Sequence, residues 1–202
     1  MMRNTVIFFI LIFTAAPAAA FAQDPLETLR QGIERGISVL EDPRFEDASR
    51  KPEQQQLLRE LMQQYFDFRE FSRNVLGRYW KKFSPPQKDE FVRVFSEFLG
   101  KLYLGRLQDR YNQERVNYLD QQLVGRSRAL VKVEVLWRSV KVPVELRMTK
   151  RSGQWRVYDL SILGIDAVSN YRAQFKSILG HETPLQIIGR IKDKIAELDA
   201  KS

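Results

Sequence analysis

The stretch ALVKVEVLWRSVKVPVELRM, residues 129–148, decides the fold because apolar and polar residues alternate along nearly its whole length. Successive side chains of a β-strand point to opposite faces, so this pattern predicts two strands with one apolar and one polar face. Ser139 leaves too few residues between the strands for a crossover helix, and the pair is therefore antiparallel. Pro143 has no N–H to donate, which indicates an edge position or a β-bulge.

The same alternation extends outward on both sides of this hairpin. A first strand is predicted at about Val116 to Val124 and a last one from Gln154 to Ile162, which makes about four strands. Regions with helical periodicity precede and follow them. The sequence thus predicts an α+β fold in which several helices cover one face of a curved antiparallel sheet. Such a cone-like arrangement is expected to enclose an apolar cavity.

Three helix starts share an oxygen-bearing N-cap, a proline, and a Glu or Gln three residues after the cap. They are Asp24-Pro25-Leu26-Glu27, Ser84-Pro85-Pro86-Gln87 and Thr183-Pro184-Leu185-Gln186. The helix that begins at Pro85 is predicted to run to about Tyr111, and its apolar residues cover more than one stripe of its surface. Gly100 and Gly105 inside it indicate the close approach of a ligand or a neighbouring strand.

The N-terminal segment predicts the compartment. Residues 5–13, TVIFFILIF, are continuously apolar and are followed by alanine-rich sequence, an order typical of a secretory signal peptide. We predict that residues 1–22 are this signal peptide and that residues 23–202 form a single domain. The alternative is an uncleaved membrane anchor, because the uncharged stretch from Asn4 to Gln23 is long enough to span a bilayer.

Composition excludes several kinds of site. The 202-residue chain has no cysteine, which excludes disulfides, thiolate zinc sites and cysteine nucleophiles. His181 is the only histidine, and we interpret it as a solvated loop residue rather than a catalytic or metal-binding one. The 33 Lys and Arg exceed the 25 Asp and Glu, for a net charge of +8. No run of like charges marks a nucleic-acid-binding tail, so no nucleic-acid partner is predicted.

Asp159 and Asp166 are the candidates for acid–base chemistry. Each lies beside apolar sequence near the end of the last strand, where a cone-shaped cavity would open, and burial there would raise the pKa of a carboxyl group. The structural interpretation, which we favour, is that Asp166 caps the helix after Gly164 while Asp159 pairs with a neighbouring arginine. No metal-binding or phosphate-binding motif occurs in the sequence.

Two segments resemble a known family. The first lies in residues 66–99 and contains Val75-Leu76-Gly77-x-Tyr79-Trp80-Lys81, followed by Ser84-Pro85-x-Gln87 and the phenylalanine-rich helix. The second contains Trp155-x-Val157-Tyr158-Asp159, Gly164-Ile165, Val168, Tyr171 and Phe175. The sequence resembles the MlaC family, also called the toluene-tolerance or ABC-transporter auxiliary family. The resemblance covers nearly the whole chain after residue 22.

This resemblance implies a periplasmic phospholipid carrier that shuttles lipid between outer and inner membranes and maintains outer-membrane lipid asymmetry. It implies an inner-membrane ABC transporter complex and an outer-membrane lipoprotein–porin complex as partners. It also implies no enzymatic activity and no cofactor, with phospholipid bound as cargo, and we expect a monomer. Two alternatives stay open: a periplasmic adaptor without ligand, and a small-pocket enzyme that uses Asp159 or Asp166.

We expect the lipid slot between the valine-rich sheet face and the helices. The candidate lining residues are Phe98, Leu102, Tyr103, Val131, Val133, Val135, Val142, Val144, Leu146 and Tyr171. The alternative is that these side chains are plain core. Arg106, Arg110 and Arg172 flank the predicted lining and are expected to serve docking rather than lipid retention, because an exposed ion pair adds only about 0–1 kcal/mol.

Overall fold

A computed structural model describes residues 24–200, and the predicted signal peptide lies outside these residues. The helices are α1 (Pro25–Leu40), α2 (Lys51–Tyr65), α3 (Phe68–Leu76), α4 (Pro85–Arg110), α5 (Ala167–Leu179) and α6 (Pro184–Asp199), with short 3₁₀ turns at Pro43–Phe45, Ala48–Arg50 and Gly77–Lys82. The strands are β1 (Arg115–Leu123), β2 (Arg128–Trp137), β3 (Val140–Arg151), β4 (Gln154–Ile162) and β5 (Ile165–Asp166). Within the described residues, no helix combines the length and hydrophobicity needed to cross a membrane.

The three predicted helix starts are confirmed by their capping contacts. The Asp24 carboxylate accepts a hydrogen bond of 2.7 Å from the amide of Glu27 at the start of α1. Ser84 and Thr183 each take part in a reciprocal capping box with the glutamine three residues later. These contacts satisfy amides that the first helical turn leaves without backbone acceptors.

The five strands form an antiparallel meander in the order β1-β2-β3-β4-β5, so the predicted α+β class is confirmed. The prediction of about four strands missed β5, which contains two residues and pairs only with the end of β4. The connecting residues Leu163 and Gly164 have φ angles of 52° and 80°. Positive φ at both positions is the geometry of the tightest two-residue hairpin, which brings Ile165 directly beside Ile162.

Pro143 lies in β3, an internal strand, but its position is locally an edge, as predicted. It pairs with Glu134 on β2, and β3 also pairs with β4. However, β4 ends at Ile162, which pairs with Val144 one position before Pro143 is reached. The Pro143 carbonyl accepts a hydrogen bond from Leu163 beyond the strand end. The missing N–H therefore faces a place where no strand requires it.

A bulge in β4 determines which residues face the helices. Arg147 pairs with Asp159 but the next residue, Met148, pairs with Val157, so Tyr158 is the extra residue. One extra residue reverses the alternation of side chains beyond it. As a result Leu160, the partner of Leu146, lies on the same inner face of the sheet as Val157.

The core has two apolar clusters. The helical cluster joins α3, α4, α5 and α6 around stacked and tilted phenylalanines such as Phe71, Phe91 and Phe95. The sheet cluster packs Leu29 of α1 against the inner face, where Val131 is fully buried. The backbone amide of Asp67, between α2 and α3, donates a 2.7 Å hydrogen bond to the carbonyl of Val157 on β4 and so ties the two layers together.

Candidate functional site

An apolar cavity of about 550 Å³ lies between the helical cluster and the β4–β5 end of the sheet. Its walls come from the end of α2, from α3, α4 and α5, and from the hairpin that joins β4 to β5. The lining residues are Met62, Phe66, Phe68, Phe71, Leu99, Tyr103, Leu160, Ile162, Leu163, Ile165, Ala167, Asn170 and Tyr171. The volume falls in the range of about 300–1,000 Å³ that is typical of sites for small organic ligands.

The polar groups in this lining are few and mostly satisfied. The hydroxyl oxygens of Tyr103 and Tyr171 are 2.8 Å apart, and either can donate to the other. Tyr171 is buried, and this burial raises the pKa of its phenol, with the Tyr103 hydrogen bond as the next cause. Asn170 carries the remaining polar side chain of the lining. The cavity therefore suits a ligand part that is hydrocarbon rather than charged.

Tyr171 also borders a second, smaller cavity of about 210 Å³. That cavity lies between α4, α5 and α6, and Phe98, Phe175 and Ile191 are among its lining residues. The Tyr171 ring meets the Phe95 ring edge-on at a centroid distance of 5.3 Å. Tyr171 therefore borders both apolar cavities.

The model of the family described as MlaC protein matches residues 30–193. The chain belongs to the MlaC protein family. A curated relative, the intermembrane phospholipid transport system binding protein MlaC of Haemophilus influenzae (strain ATCC 51907 / DSM 11121 / KW20 / Rd), is 25% identical over 112 residues. That match covers 54% of this chain and 52% of the relative, so the chain spans about half the length of the curated relative it matches.

A solved structure of a phospholipid-binding protein from Ralstonia solanacearum, in complex with a phospholipid, is also similar. The TM-score is 0.76 at 20% sequence identity, and the match covers 88% of this chain and 99% of that one. At this identity the likeness shows a shared fold. The predicted family and fold class are therefore both confirmed, by the family match and by the shared architecture.

The structure separates the ten sequence-predicted lining residues into groups. Tyr103 and Tyr171 line the main cavity, Phe98 lines the second cavity, and Leu102 is half-buried outside both linings. The remaining six lie on the inner face of the sheet: Val131, Val133, Val144 and Leu146 in contact with the sheet cluster, and Val135 and Val142 half-buried opposite each other. This face continues into the main cavity through Ile162, the partner of Val144. Lipid contact by these residues remains a prediction.

Sequence reasoning missed the β4–β5 side of the cavity. Leu160 and Ile162 keep a spacing of two, and the apolar residues Leu163 and Ile165 surround a glycine, which together form a signal for an apolar hairpin. The bulge at Tyr158 hid their direction, because uninterrupted alternation from Val157 places them on the outer face.

Asp159 and Asp166 are both held by Arg147, outside the cavity lining. The guanidinium group donates 2.9 Å and 2.8 Å hydrogen bonds to the two carboxylates. Asp159 also accepts bonds from the amides of Leu160 and Val168. Burial raises the pKa of Asp159, while these bonds oppose the shift. The prediction that Asp159 pairs with an arginine is confirmed. The prediction that Asp166 caps α5 is wrong, because its side chain accepts no capping hydrogen bond and the amide of Val168 donates to Asp159 instead.

Other predicted features have structural partners. A Cβ at Gly100 would lie 3.4 Å from Met62, and one at Gly105 would lie 3.6 Å from Gln55, so both glycines face α2 rather than a ligand or a strand. The guanidinium Nε of Arg172 donates a 3.2 Å hydrogen bond to the carbonyl of Asn74 and ties α5 to α3. His181 is exposed in the loop between α5 and α6. Within residues 24–200, no group of three acidic or histidine side chains could hold a metal ion.

Proposed function

We propose that this MlaC-family protein is a periplasmic phospholipid carrier that moves lipid between the outer and inner membranes. The observation that carries the proposal is the apolar cavity between sheet and helices, whose two tyrosine hydroxyls hydrogen-bond to each other. The names of the relatives support the same cargo, since both describe phospholipid binding or transport. Export through a cleaved signal peptide, residues 1–22, places the carrier in the periplasm.

The energetics of transfer explain why a carrier needs such a cavity. Each acyl methylene kept from water is worth about 0.8 kcal/mol, so two chains of about 16 carbons cost on the order of 20 kcal/mol to expose. Transfer from a bilayer to an apolar cavity is close to balance, because both environments are dry. The direction of transport must then come from the partners, for which we propose an inner-membrane ABC transporter complex and an outer-membrane lipoprotein–porin complex.

The cavity volumes suggest how much lipid the domain holds. A methylene group takes up roughly 30 Å³, about the same share of liquid volume as a water molecule, so a chain of about 16 carbons needs about 500 Å³. The main cavity of about 550 Å³ has room for about one such chain. The second cavity of about 210 Å³, across Tyr171, has room for part of another chain.

Lipid extraction and mass spectrometry of the purified protein test the cargo directly. Ala167→Trp places an indole in the main cavity, and we expect it to remove at least half of the bound phospholipid. Ala173→Trp, at an exposed position of the same helix, is the matched control and is expected to leave lipid content unchanged. Equal lipid content in both variants would place the lipid elsewhere. Absence of lipid from the unmodified protein would instead support an adaptor without ligand.

The same preparation tests the compartment and the absence of catalysis. Sequencing of the exported protein is expected to give Gln23 as its first residue, and an intact Met1 in the membrane fraction would contradict the cleaved signal peptide. Because Arg147 and backbone amides occupy the carboxylate of Asp159, we expect lipid recovered from the protein to be chemically unchanged. Hydrolysed lipid that disappears in Asp159→Asn would favour the enzyme alternative.

Exposed arginines near the end of α4 are proposed to serve docking. Arg106 and Arg110 are both exposed. Changing both to Glu is expected to slow transfer to acceptor membranes or to the transporter while bound lipid per protein stays constant. Equal loss of lipid and transfer would place these arginines at the headgroup instead. Arg172 is a weaker candidate than predicted, because its contact with Asn74 gives it a structural role.

A further inference from the structure

The apolar inner face of the sheet extends beyond the helices that cover it. Val131 and Val133 on β2 are buried under α1, whereas Val135 is half-buried and Trp137 is exposed. Their side chains share one face because they alternate along a single strand. Val140, which pairs with Trp137 across the β2–β3 hairpin, is also exposed. The sheet therefore continues its apolar face about two residue pairs into solvent.

A second exposed apolar hairpin lies at the same end of the sheet. Ile162, Leu163 and Ile165, around the β4–β5 turn, are all exposed and all line the mouth of the main cavity. Ile162 pairs with Val144, which is four residues and about 13 Å from Val140 along β3. We call the five exposed residues of these two hairpins the apolar rim: Trp137, Val140, Ile162, Leu163 and Ile165.

Leu163 is an unusual residue for its position. Its φ of 52° is in the left-handed region, which Gly and Asn adopt more readily than a branched apolar residue. Its side chain is 65% exposed, so intramolecular packing offsets little of the backbone strain. A strained, exposed leucine at a ligand site is the kind of outlier from which a function can be inferred.

The charges beside the rim indicate what it contacts. From residue 136 to residue 144 the charged residues are Arg138 and Lys141, and from residue 160 to residue 165 there are none. The Arg138 guanidinium lies 5.5 Å from the centre of the Trp137 ring, and Lys141 lies 3.2 Å from Glu134. A tryptophan with a basic neighbour suits the boundary between hydrocarbon and headgroups, where the ring is buried and the cation meets phosphate.

We propose that the apolar rim rests on the surface of a phospholipid bilayer that contains anionic headgroups, with the cavity mouth facing the acyl chains. The rim residues Ile162, Leu163 and Ile165 belong to both surfaces, so an acyl chain that leaves the bilayer stays in contact with apolar side chains until it reaches the cavity. This inference rests on the proposed carrier role and adds a direct membrane contact to it.

Environment-sensitive fluorescence tests the contact, because the chain has no cysteine to interfere with labelling. Ser139→Cys labels the hairpin tip beside the rim, and Ser152→Cys labels the β3–β4 tip at the opposite end of the sheet. Both serines have positive φ, so the two sites are matched. With a nitrobenzoxadiazole label and vesicles of phosphatidylethanolamine and phosphatidylglycerol, we expect at least a twofold rise in emission at position 139 and none at position 152.

Vesicle flotation with rim variants separates this contact from lipid storage. Trp137→Thr with Val140→Thr removes rim residues that do not line the cavity, and we expect about tenfold weaker flotation with unchanged bound lipid. Leu119→Thr with Leu123→Thr, an equally exposed pair on β1, is the control and is expected to float normally. Absent flotation of the unmodified protein, or equal effects of both pairs, overturns the rim contact in favour of a protein partner or no partner. Purified protein without bound lipid overturns the carrier role whatever the flotation shows.

Discussion

The hydrogen bond between Tyr103 and Tyr171 is expected to behave asymmetrically when either hydroxyl is removed. Tyr171 is 5% exposed and Tyr103 is 48% exposed. Tyr103→Phe therefore leaves a buried hydroxyl without a partner, which costs about 1–3 kcal/mol of unfolding free energy. Tyr171→Phe leaves a hydroxyl that water can reach, so its cost is expected to stay below about 1 kcal/mol.

The double variant provides the sharper measurement. When both hydroxyls are removed, no buried donor or acceptor remains unpaired, so the change in unfolding free energy should be smaller than that of Tyr103→Phe alone. The two single changes therefore do not add, and their coupling measures the cost of the unpaired hydroxyl. Both substitutions keep the aromatic rings that line the cavity.

Urea unfolding of delipidated protein is the appropriate assay. With a slope of about 1–3 kcal/mol per M urea, a loss of about 2 kcal/mol moves the midpoint by about 1 M. Tyr158→Phe, at the bulge of β4, is the control and is expected to stay within about 0.5 kcal/mol of the unmodified protein. If Tyr103→Phe matches this control, or if the two tyrosine changes are additive, the hydrogen bond does not contribute as described.

Three further outcomes follow from the geometry. Gly32→Ala puts a Cβ 2.8 Å from the ring of Tyr65 and is expected to lower the free energy of unfolding by about 1–3 kcal/mol, measured by heat or urea. Gly36→Ala in the same helix meets nothing within 4 Å and should raise it by up to about 1 kcal/mol, so equal effects of the two changes would contradict the close packing of α1 on α2. Asp159→Ala should lower the unfolding free energy by about 1–3 kcal/mol, because the first turn of α5 loses a buried acceptor, and unchanged stability would contradict this capping role. Burial raises the pKa of the Tyr171 phenol, so the stability contributed by the neutral phenol is complete below the ordinary pKa of 10.0. Above that pH the free energy of unfolding should fall by up to about 1.4 kcal/mol per pH unit until the folded-state pKa is reached. Tyr171→Phe should flatten this part of a stability–pH curve, and an unchanged slope would be inconsistent with a buried phenol.

Local physics made much of the architecture predictable. A period of two over residues 129–148 fits a half-buried strand and does not fit a helix, so the hairpin follows from the pattern itself. The helix starts at Asp24, Ser84 and Thr183 follow equally directly, because a side-chain oxygen must accept an amide hydrogen within three residues. Each of these features depends on neighbours in the chain.

The candidate site was predictable in part, because its two sides depend on different kinds of information. Tyr103 and Tyr171 belong to helical stripes, whose direction follows from the period of 3.6 residues, and both line the main cavity. The sheet side depends on the bulge at Tyr158, which leaves no local mark yet turns Leu160 and Ile162 towards the helices. Because of this one extra residue, β4 supplies the sheet side of the cavity, where the sequence had predicted β2 and β3.

The sequence by itself determined the α+β class, the antiparallel connections, the principal helix starts and the resemblance to the MlaC family. Tertiary structure alone decided where Pro143 could be accommodated, which carboxylate caps α5, and where the apolar layers separate to leave a cavity. The physical reason is one of range. Periodicity and capping involve residues within one or two turns, whereas a strand end, a shared arginine and a gap between packed layers exist only where distant segments meet.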